Sequence, residues 1–250
     1  MTKPLTPETG RAALRALLKE KSPLGPLKVM AKHVGRFFQI PIPGFRPYVV
    51  FGPEAVRKVL ITERDKVLWR NTDPVTDLLD RGVLVVDGEE HDKYRALMEP
   101  PLQPACLDGY TQMMIAQTDR VTSQWQDGET VDMLVESRKV ALLIIMQTLF
   151  SRDIWDDLPR LWNPIAKAIE YISPGAWIIW RNIPRFGFRK PLKVLDDYLF
   201  GIIEDRRKEK GKNNDLLQHL MDAGLTDKVI RDQMLTMMIA GHDTSTALLA

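Results

Sequence analysis

The sequence has one cysteine among 250 residues, and it lacks a long uninterrupted apolar run. A single cysteine excludes an internal disulfide and a thiol-rich metal site. The longest apolar stretch, residues 140–149, is interrupted by Gln147 and is too short to span a bilayer. The first ten residues are polar and indicate neither a signal peptide nor an anchor helix. We therefore expect a soluble, cytoplasmic protein.

The chain also has no large excess of positive or negative charge, since its formal net charge is +2. No basic patch interleaved with stacking aromatic residues occurs before residue 180, so nucleic acid is not expected as a partner. The apolar fraction of 44% and the charged fraction of 27% are those of an ordinary globular chain rather than a disordered one.

Periodicity predicts a mainly α protein with a small β element near its start. Residues 37–42 and 47–51 are β-type runs separated by prolines and a glycine, which predicts a hairpin with a wide turn. A helix-prone stretch at residues 9–19 precedes them. The further predicted helices span residues 91–99, 107–126, 135–150, 158–171, 190–210, 215–223 and 227–250.

The last predicted helix has a clear beginning and no end signal. Thr226 has the residue type of an N-cap, whereas residues 248–250 offer no glycine, proline or basic residue for a C-terminus. We expect truncation within this helix, although a fraying terminus is the alternative. The expected organisation is one incomplete domain over residues 1–250, with a small β/α region at about 1–70 and a helical region at about 71–250.

Inside this helix, a glycine is followed by an acid–alcohol pair. Gly241 permits close approach of a flat cofactor or another helix. The hydroxyl of Thr244 can bond to the carbonyl one turn earlier and open a kink, and Asp243 can feed protons to that place. The same residue types also suit a simple helix-packing site, and these residues alone do not distinguish the two interpretations.

Four stretches carry a resemblance to a known family. Residues 235–246, L-T-M-M-I-A-G-H-D-T-S-T, closely resemble the oxygen-binding stretch of the central helix of cytochrome P-450, and residues 225–233 resemble its beginning. Residues 215–217 resemble the preceding short helix, and residues 87–95 resemble the heme-propionate helix. The resemblance covers nearly the whole chain and implies a cytochrome P-450 fold truncated within the central long helix.

The resemblance implies a heme cofactor and a set of residues that contact it. His91 and Arg95 are four apart, so they share one helix face and would pair with the heme propionates. The full set of implied heme contacts is His91, Arg95, Ala240, Gly241 and Thr244.

Catalytic and substrate contacts are implied in the same way. Asp243 and Thr244 would deliver protons during the activation of O2. Val83, Leu84 and Val85, before the propionate helix, would line the substrate pocket. The implied protein is an oxidoreductase, a heme iron monooxygenase that hydroxylates a lipophilic small molecule. Its expected redox partner is a ferredoxin or a flavoprotein reductase.

Several family features are missing from this chain: the iron ligand, the later Glu-x-x-Arg helix and much of the β structure. The iron ligand of the family is a cysteine thiolate in a glycine-containing loop near the carboxyl end. Cys106 lacks such surroundings and is interpreted as a small buried hydrophobic residue. No residue of the chain is therefore expected to ligate the metal, and we expect the isolated chain to be inactive.

Other interpretations stay open. The chain could be a non-catalytic helical fragment that binds a small molecule or a partner protein. His242 next to Asp243 also suggests a helical metal-dependent phosphohydrolase, which needs further histidines on neighbouring helices. Residues 181–193 are basic and follow several aromatic residues. By resemblance this is a loop between two lid helices; it could contact a membrane surface or fold on its own aromatics.

Overall fold

The computed structural model describes residues 6–40, 46–68, 74–175, 177, 183–209 and 213–250. The chain divides into two compact units. The first comprises Met1–Leu68 with Ala176–Asn182, and the second comprises Trp69–Gly175 with Ile183–Ala250. The described residues are mainly helical with one two-stranded sheet, which confirms the predicted fold class.

In its described residues, the first unit contains the predicted hairpin and three α-helices, and short π-helical and 3-10 turns follow the third helix. The bounds of the α-helices and strands are α1 (Pro7–Glu20), α2 (Leu24–Val34), β1 (Phe37–Gln39), β2 (Tyr48–Val50) and α3 (Pro53–Arg57). The strands are antiparallel, with Phe38 opposite Val49. The middle of the predicted turn, residues 41–45, lies outside the described residues.

Helix α2 is absent from the sequence-based prediction, which reads residues 22–26 as a break between elements. Pro23 is the residue before this helix and Pro26 lies in its first turn, where a missing N–H removes no hydrogen bond. Met30 and Val34 of α2 pack with Ala13 and Phe38 in a small core. The prolines therefore mark a helix start here rather than a loop.

The second unit is a helical assembly around one apolar core. Its helices are α4 (Pro74–Leu79), α5 (Gly88–Met98), α6 (Leu107–Thr122), α7 (Met133–Phe150), α8 (Leu158–Ile172), α9 (Arg189–Lys208), α10 (Leu216–Asp222) and α11 (Asp227–Leu249). Each of the predicted helices after residue 90 is present. None of the helices in the described ranges has the length and apolar character that crossing a bilayer requires.

Helix α11 passes through the core of this unit. The Thr226 hydroxyl accepts a hydrogen bond from the backbone N–H of Val229 at 3.4 Å, which confirms the predicted N-cap. Ile230, Met234 and Met238 are buried at helical spacing. Burial becomes one-sided near the end of the helix, where Ala240 is exposed. His242 and Thr246 stay buried, so the last turns pack on one side only.

Candidate active site

The segment before α5 is joined to α11 by hydrogen bonds of buried polar side chains. Asp232 accepts hydrogen bonds from the backbone N–H of Arg81 at 3.3 Å and from Nη1 of Arg231 at 2.8 Å. Gln233 accepts from the backbone N–H of Val83 at 2.8 Å and donates to the carbonyl of Arg81 at 2.7 Å. Asp232 and Gln233 are almost fully buried. These bonds fix the position of the predicted substrate-lining residues relative to α11.

Burial raises the pKa of the Asp232 carboxyl above its ordinary value, while Arg231 acts in the opposite direction. The guanidinium of Arg231 also pairs with Asp196 of α9 and donates to the carbonyl of Leu78 at 2.9 Å. Arg231 therefore provides the positive charge that pairs with the buried Asp232 carboxyl. The same guanidinium joins α4, α9 and α11 at one point.

The start of α5 is tethered to the same segment. Nε of Arg81 donates to Oε1 of Glu90 at 2.8 Å, and the hydroxyl of Tyr94 donates to the same oxygen at 2.7 Å. The hydrogen bond from Tyr94, together with Arg81, holds the pKa of Glu90 below its usual range. Burial and the neighbouring carboxylate raise the pKa of Tyr94 to about 12. Arg81 therefore links the two helices: its side chain binds Glu90 of α5, and its backbone N–H is held by Asp232 of α11.

The two predicted propionate cations lie one turn apart on α5. The side chain of His91 is 38% exposed, and that of Arg95 is 65% exposed. His91 contacts Asp92 through Nδ1 at 3.0 Å, and Arg95 lies 3.9 Å from Glu99. Surface pairs of this kind contribute little, so both basic side chains can turn toward an anionic group. Within the described ranges, no hydrogen bond or ion pair joins these two side chains to residues 240–244.

Part of the predicted oxygen-binding stretch forms an exposed face on α11. Thr244 donates its hydroxyl proton to the carbonyl of Ala240 at 2.7 Å, which is the backward bond predicted from the sequence. Ala240, Asp243 and Thr244 are all exposed, and the α-helix continues through them to Leu249. Ala240 and Thr244 lie one turn apart, so they share this open side of the helix.

Gly241 lies at a close contact between two helices. A Cβ at this position would clash with Cδ1 of Ile145 on α7. The glycine therefore allows α7 and α11 to approach closely, as in the packing interpretation. Its expected contact with a heme face stays a prediction.

The predicted substrate-lining residues differ in their environments. Val83 is half-buried against the core, Leu84 is 48% exposed, and Val85 is buried in the core. Leu84 is therefore the member of this group whose side chain is most available to a ligand. The predicted role of all three remains a prediction.

Cys106 is half-buried rather than buried, which corrects the interpretation made from the sequence. Its Sγ donates to the carbonyl of Pro100 at 3.8 Å. Among the residues that the structure describes, no group of three or more His, Cys, Asp or Glu side chains is placed to hold a metal ion. His242 and the other histidines are not brought together, so no observation supports the phosphohydrolase alternative.

The loop between α8 and α9 is described only in part, because residues 176 and 178–182 lie outside the described ranges. Its described end folds back on α8, where the Arg185 guanidinium lies 4.3 Å from the ring centroid of Tyr171. The rings of Tyr171 and Phe188 meet edge to face at 5.3 Å. These contacts favour a loop folded on its own aromatics, and a membrane contact stays a prediction.

Sequence reasoning missed the residues that hold these elements together. Arg81, Arg231 and Asp232 were not singled out, although charged residues inside an apolar helix pattern are a usable signal. A charge that must be buried needs a partner, so the charged residues at positions 231–232 indicate a buried ionic contact.

The family model for cytochrome P-450 matches residues 15–250, and the chain belongs to this family. Pentalenene oxygenase from Streptomyces avermitilis is 28% identical over 243 residues, an alignment that covers 90% of this chain and 53% of that protein. Cyclooctat-9-en-7-ol 5-monooxygenase from Streptomyces melanosporofaciens is 25% identical over 244 residues, covering 92% and 53%. Cyclooctatin synthase from the same organism is 24% identical, covering 94% and 54%. The chain spans about half the length of these relatives.

Proposed function

We propose that this chain supplies the distal helix, the propionate-binding cations and part of the substrate pocket of a heme-dependent monooxygenase. The reaction is the activation of O2 to hydroxylate a lipophilic small molecule. The single observation that carries the proposal is the open side of α11, where Thr244 and Ala240 are exposed within the matched family region.

The residues present fit a heme. The open side of α11 bears the small side chain of Ala240 one turn before Thr244, so a flat apolar group can lie against the helix without displacing a bulky side chain. His91 and Arg95 present two basic side chains on one face of α5, which suits carboxylate groups such as propionates. When bound, heme supplies the iron chemistry by which O2 is activated.

Thr244 and Asp243 have distinct parts in moving protons. The Thr244 hydroxyl is held by the carbonyl of Ala240, so its oxygen faces a defined direction with lone pairs free to accept a hydrogen bond from water. By rotating, the same hydroxyl can donate a proton to a group on the open side of the helix. Asp243 is exposed and adjacent, so it can exchange protons with solvent and restore the hydroxyl.

The substrate class is proposed from two supports. The names of two relatives describe oxygenation of pentalenene and of cyclooctat-9-en-7-ol. Leu84 offers an exposed apolar side chain on a segment fixed to α11. We propose a lipophilic small-molecule substrate, with Val83, Leu84 and Val85 at its pocket, and a ferredoxin or flavoprotein reductase as the electron donor. Cytoplasmic location belongs to the same proposal.

The isolated chain is proposed to be inactive. A thiolate iron ligand has to be a cysteine, and Cys106 is half-buried with its Sγ directed to the carbonyl of Pro100. The ligand would then come from the part of the relatives' length that this chain does not span.

A coupled-turnover experiment on the full-length protein tests the proposed function. We expect Thr244→Ala to lower the yield of hydroxylated product per O2 consumed by about tenfold or more, because proton delivery loses its donor. Thr244→Ser keeps the hydroxyl and should retain most of the yield. Ser245→Ala, at the next exposed position, is the matched control and should match the wild type. An unchanged yield in Thr244→Ala would contradict the proposal.

A further inference from the structure

A small cavity lies between α7, α8 and α11, on a different side of α11 from the exposed motif residues. Its volume is about 60 Å³. The apolar part of its wall includes Leu142, Trp162, Ile165 and Ile169. One water molecule needs roughly 10–15 Å³ by the same measure, so the space admits about four waters or a molecule of a few heavy atoms.

Two residues of the cavity wall each carry a buried nitrogen atom that has no hydrogen-bond partner within the described residues. His242 is 2% exposed, and its Nδ1 atom makes no hydrogen bond. Nε of Arg138 is buried and is also without an acceptor. Among the residues that the structure describes, no carboxylate forms an ion pair with Arg138. A cation with a buried, unsatisfied donor is costly unless a counter-charge is present.

We propose that this cavity, the Arg138–His242 cavity, binds a small aliphatic carboxylate of two or three carbons. One carboxylate oxygen accepts a hydrogen bond from Nε of Arg138, and the other accepts from Nδ1–H of His242. The short alkyl chain lies against the apolar wall formed by Trp162, Ile165 and Ile169. The proposal requires neither heme nor O2 and is therefore separate from the proposed monooxygenase activity.

The charge pattern favours an anion over water alone. Water could satisfy both nitrogens but would leave the guanidinium without a counter-charge. Burial lowers the pKa of His242, and Arg138 lowers it further, while Asp243 acts in the opposite direction. The imidazole is therefore neutral at pH 7, and with its proton on Nδ1 it donates one hydrogen bond. One cation and one neutral donor match the two oxygens of a monocarboxylate.

Isothermal titration calorimetry of the full-length protein with sodium propionate tests this inference. We expect saturable binding of one propionate per chain at constant ionic strength. Propionamide has the same shape without the charge and should bind at least tenfold more weakly. Arg138→Met should weaken propionate binding at least tenfold. Arg160→Met removes an exposed cation of α8 that pairs with Asp157, and it should bind propionate as the wild type does.

The outcomes separate the possible contents of the cavity. Absence of saturable propionate binding would mean that the cavity holds only water, and equal binding of propionate and propionamide would mean an apolar pocket without anion recognition. Undiminished binding in Arg138→Met would place the propionate elsewhere on the protein. Each of these results overturns the inference. If Arg138→Met melts early, His242→Leu removes the second donor and should cause the same loss of binding.

Discussion

Two glycines of the second unit lie where a side chain would strike a neighbouring element. A Cβ on Gly241 would meet only the flexible end of Ile145. A Cβ on Gly82 would clash with the hydroxyl of Thr236 and would also lie 3.1 Å from the carbonyl oxygen of Leu79 and 3.2 Å from that of Asp232. Backbone atoms cannot move aside as a methyl group can, so the two sites differ in tolerance.

We expect Gly82→Ala to lower the free energy of unfolding by about 2–3 kcal/mol, near the upper end of the cost of overpacking. Gly241→Ala should cost less, about 1 kcal/mol, because the gain in helix propensity offsets part of the clash. Urea denaturation of the full-length variants measures both effects.

A second substitution checks the cause of the Gly241 effect. Ile145→Val removes the Cδ1 atom that the new methyl group would strike. The double variant Gly241→Ala with Ile145→Val should therefore be more stable than the sum of the two single effects predicts. Strict additivity would show that close packing against Ile145 is not the reason for the glycine.

At the scale of elements, α5 is held through the carboxylate of Glu90. Its folded pKa lies below its ordinary value because of Tyr94 and Arg81. A lowered pKa means that the ionised group stabilises the fold above its ordinary pKa of about 4.5, and this stabilisation is lost as the pH falls through the folded pKa.

We expect Tyr94→Phe to lower the stability at pH 7 by about 1 kcal/mol, because a charge-assisted hydrogen bond is removed. The difference from the wild type should shrink as the pH falls below about 4.5, where Glu90 begins to be protonated in the variant. Thermal melts of both proteins between pH 3 and pH 7 measure this, and a difference that stays constant across that range would rule out the carboxylate as the cause.

The side chain of Gln233 fixes the segment before α5 to α11. It accepts from the N–H of Val83 and donates to the carbonyl of Arg81. Gln233→Leu should expose the Val83 amide to hydrogen exchange at least tenfold faster than in the wild type. The amide of Val85 bonds to the carbonyl of Gly82 at 2.9 Å and serves as the internal control, with a smaller change. Equal acceleration of both amides would indicate general loosening rather than loss of this tether.

The helices of the second unit could be predicted because their signals are local. Thr226 caps α11, and Ile230, Met234 and Met238 follow the helical period. The bond from Thr244 to Ala240 is also local, since it joins residues one turn apart. The hairpin was predicted for the same reason, from two β-type runs and the breakers between them.

The hydrogen bonds between elements could not be predicted from local signals. Asp232 accepts from Arg81 across about 150 positions of the sequence, and no periodicity encodes such a pairing. The helix α2 was missed because Pro23 and Pro26 are usual in loops as well as in a first helical turn. The sequence indicated the motif residues of the candidate site. It did not indicate the cavity of Arg138 and His242, because the lining of that cavity comes from three separate helices.

At the scale of the whole molecule, the family match extends over both compact units, while the chain spans about half the length of its relatives. The proposed roles of the chain follow from this partial coverage of its relatives. In the proposal, the chain would contribute the distal side through α11 and the propionate-binding side chains through α5, and the thiolate ligand would come from the length that the chain does not span.

The most direct test of this account is the carbon monoxide spectrum of the reduced full-length protein, expressed as heme bound per polypeptide. The wild type should show the band of thiolate-ligated heme. Arg95→Met should show the same band with heme held about tenfold more weakly, which corresponds to about 1.4 kcal/mol, while Arg160→Met should match the wild type. Absence of the thiolate band, or heme retention in Arg95→Met equal to that of the wild type, would contradict the account.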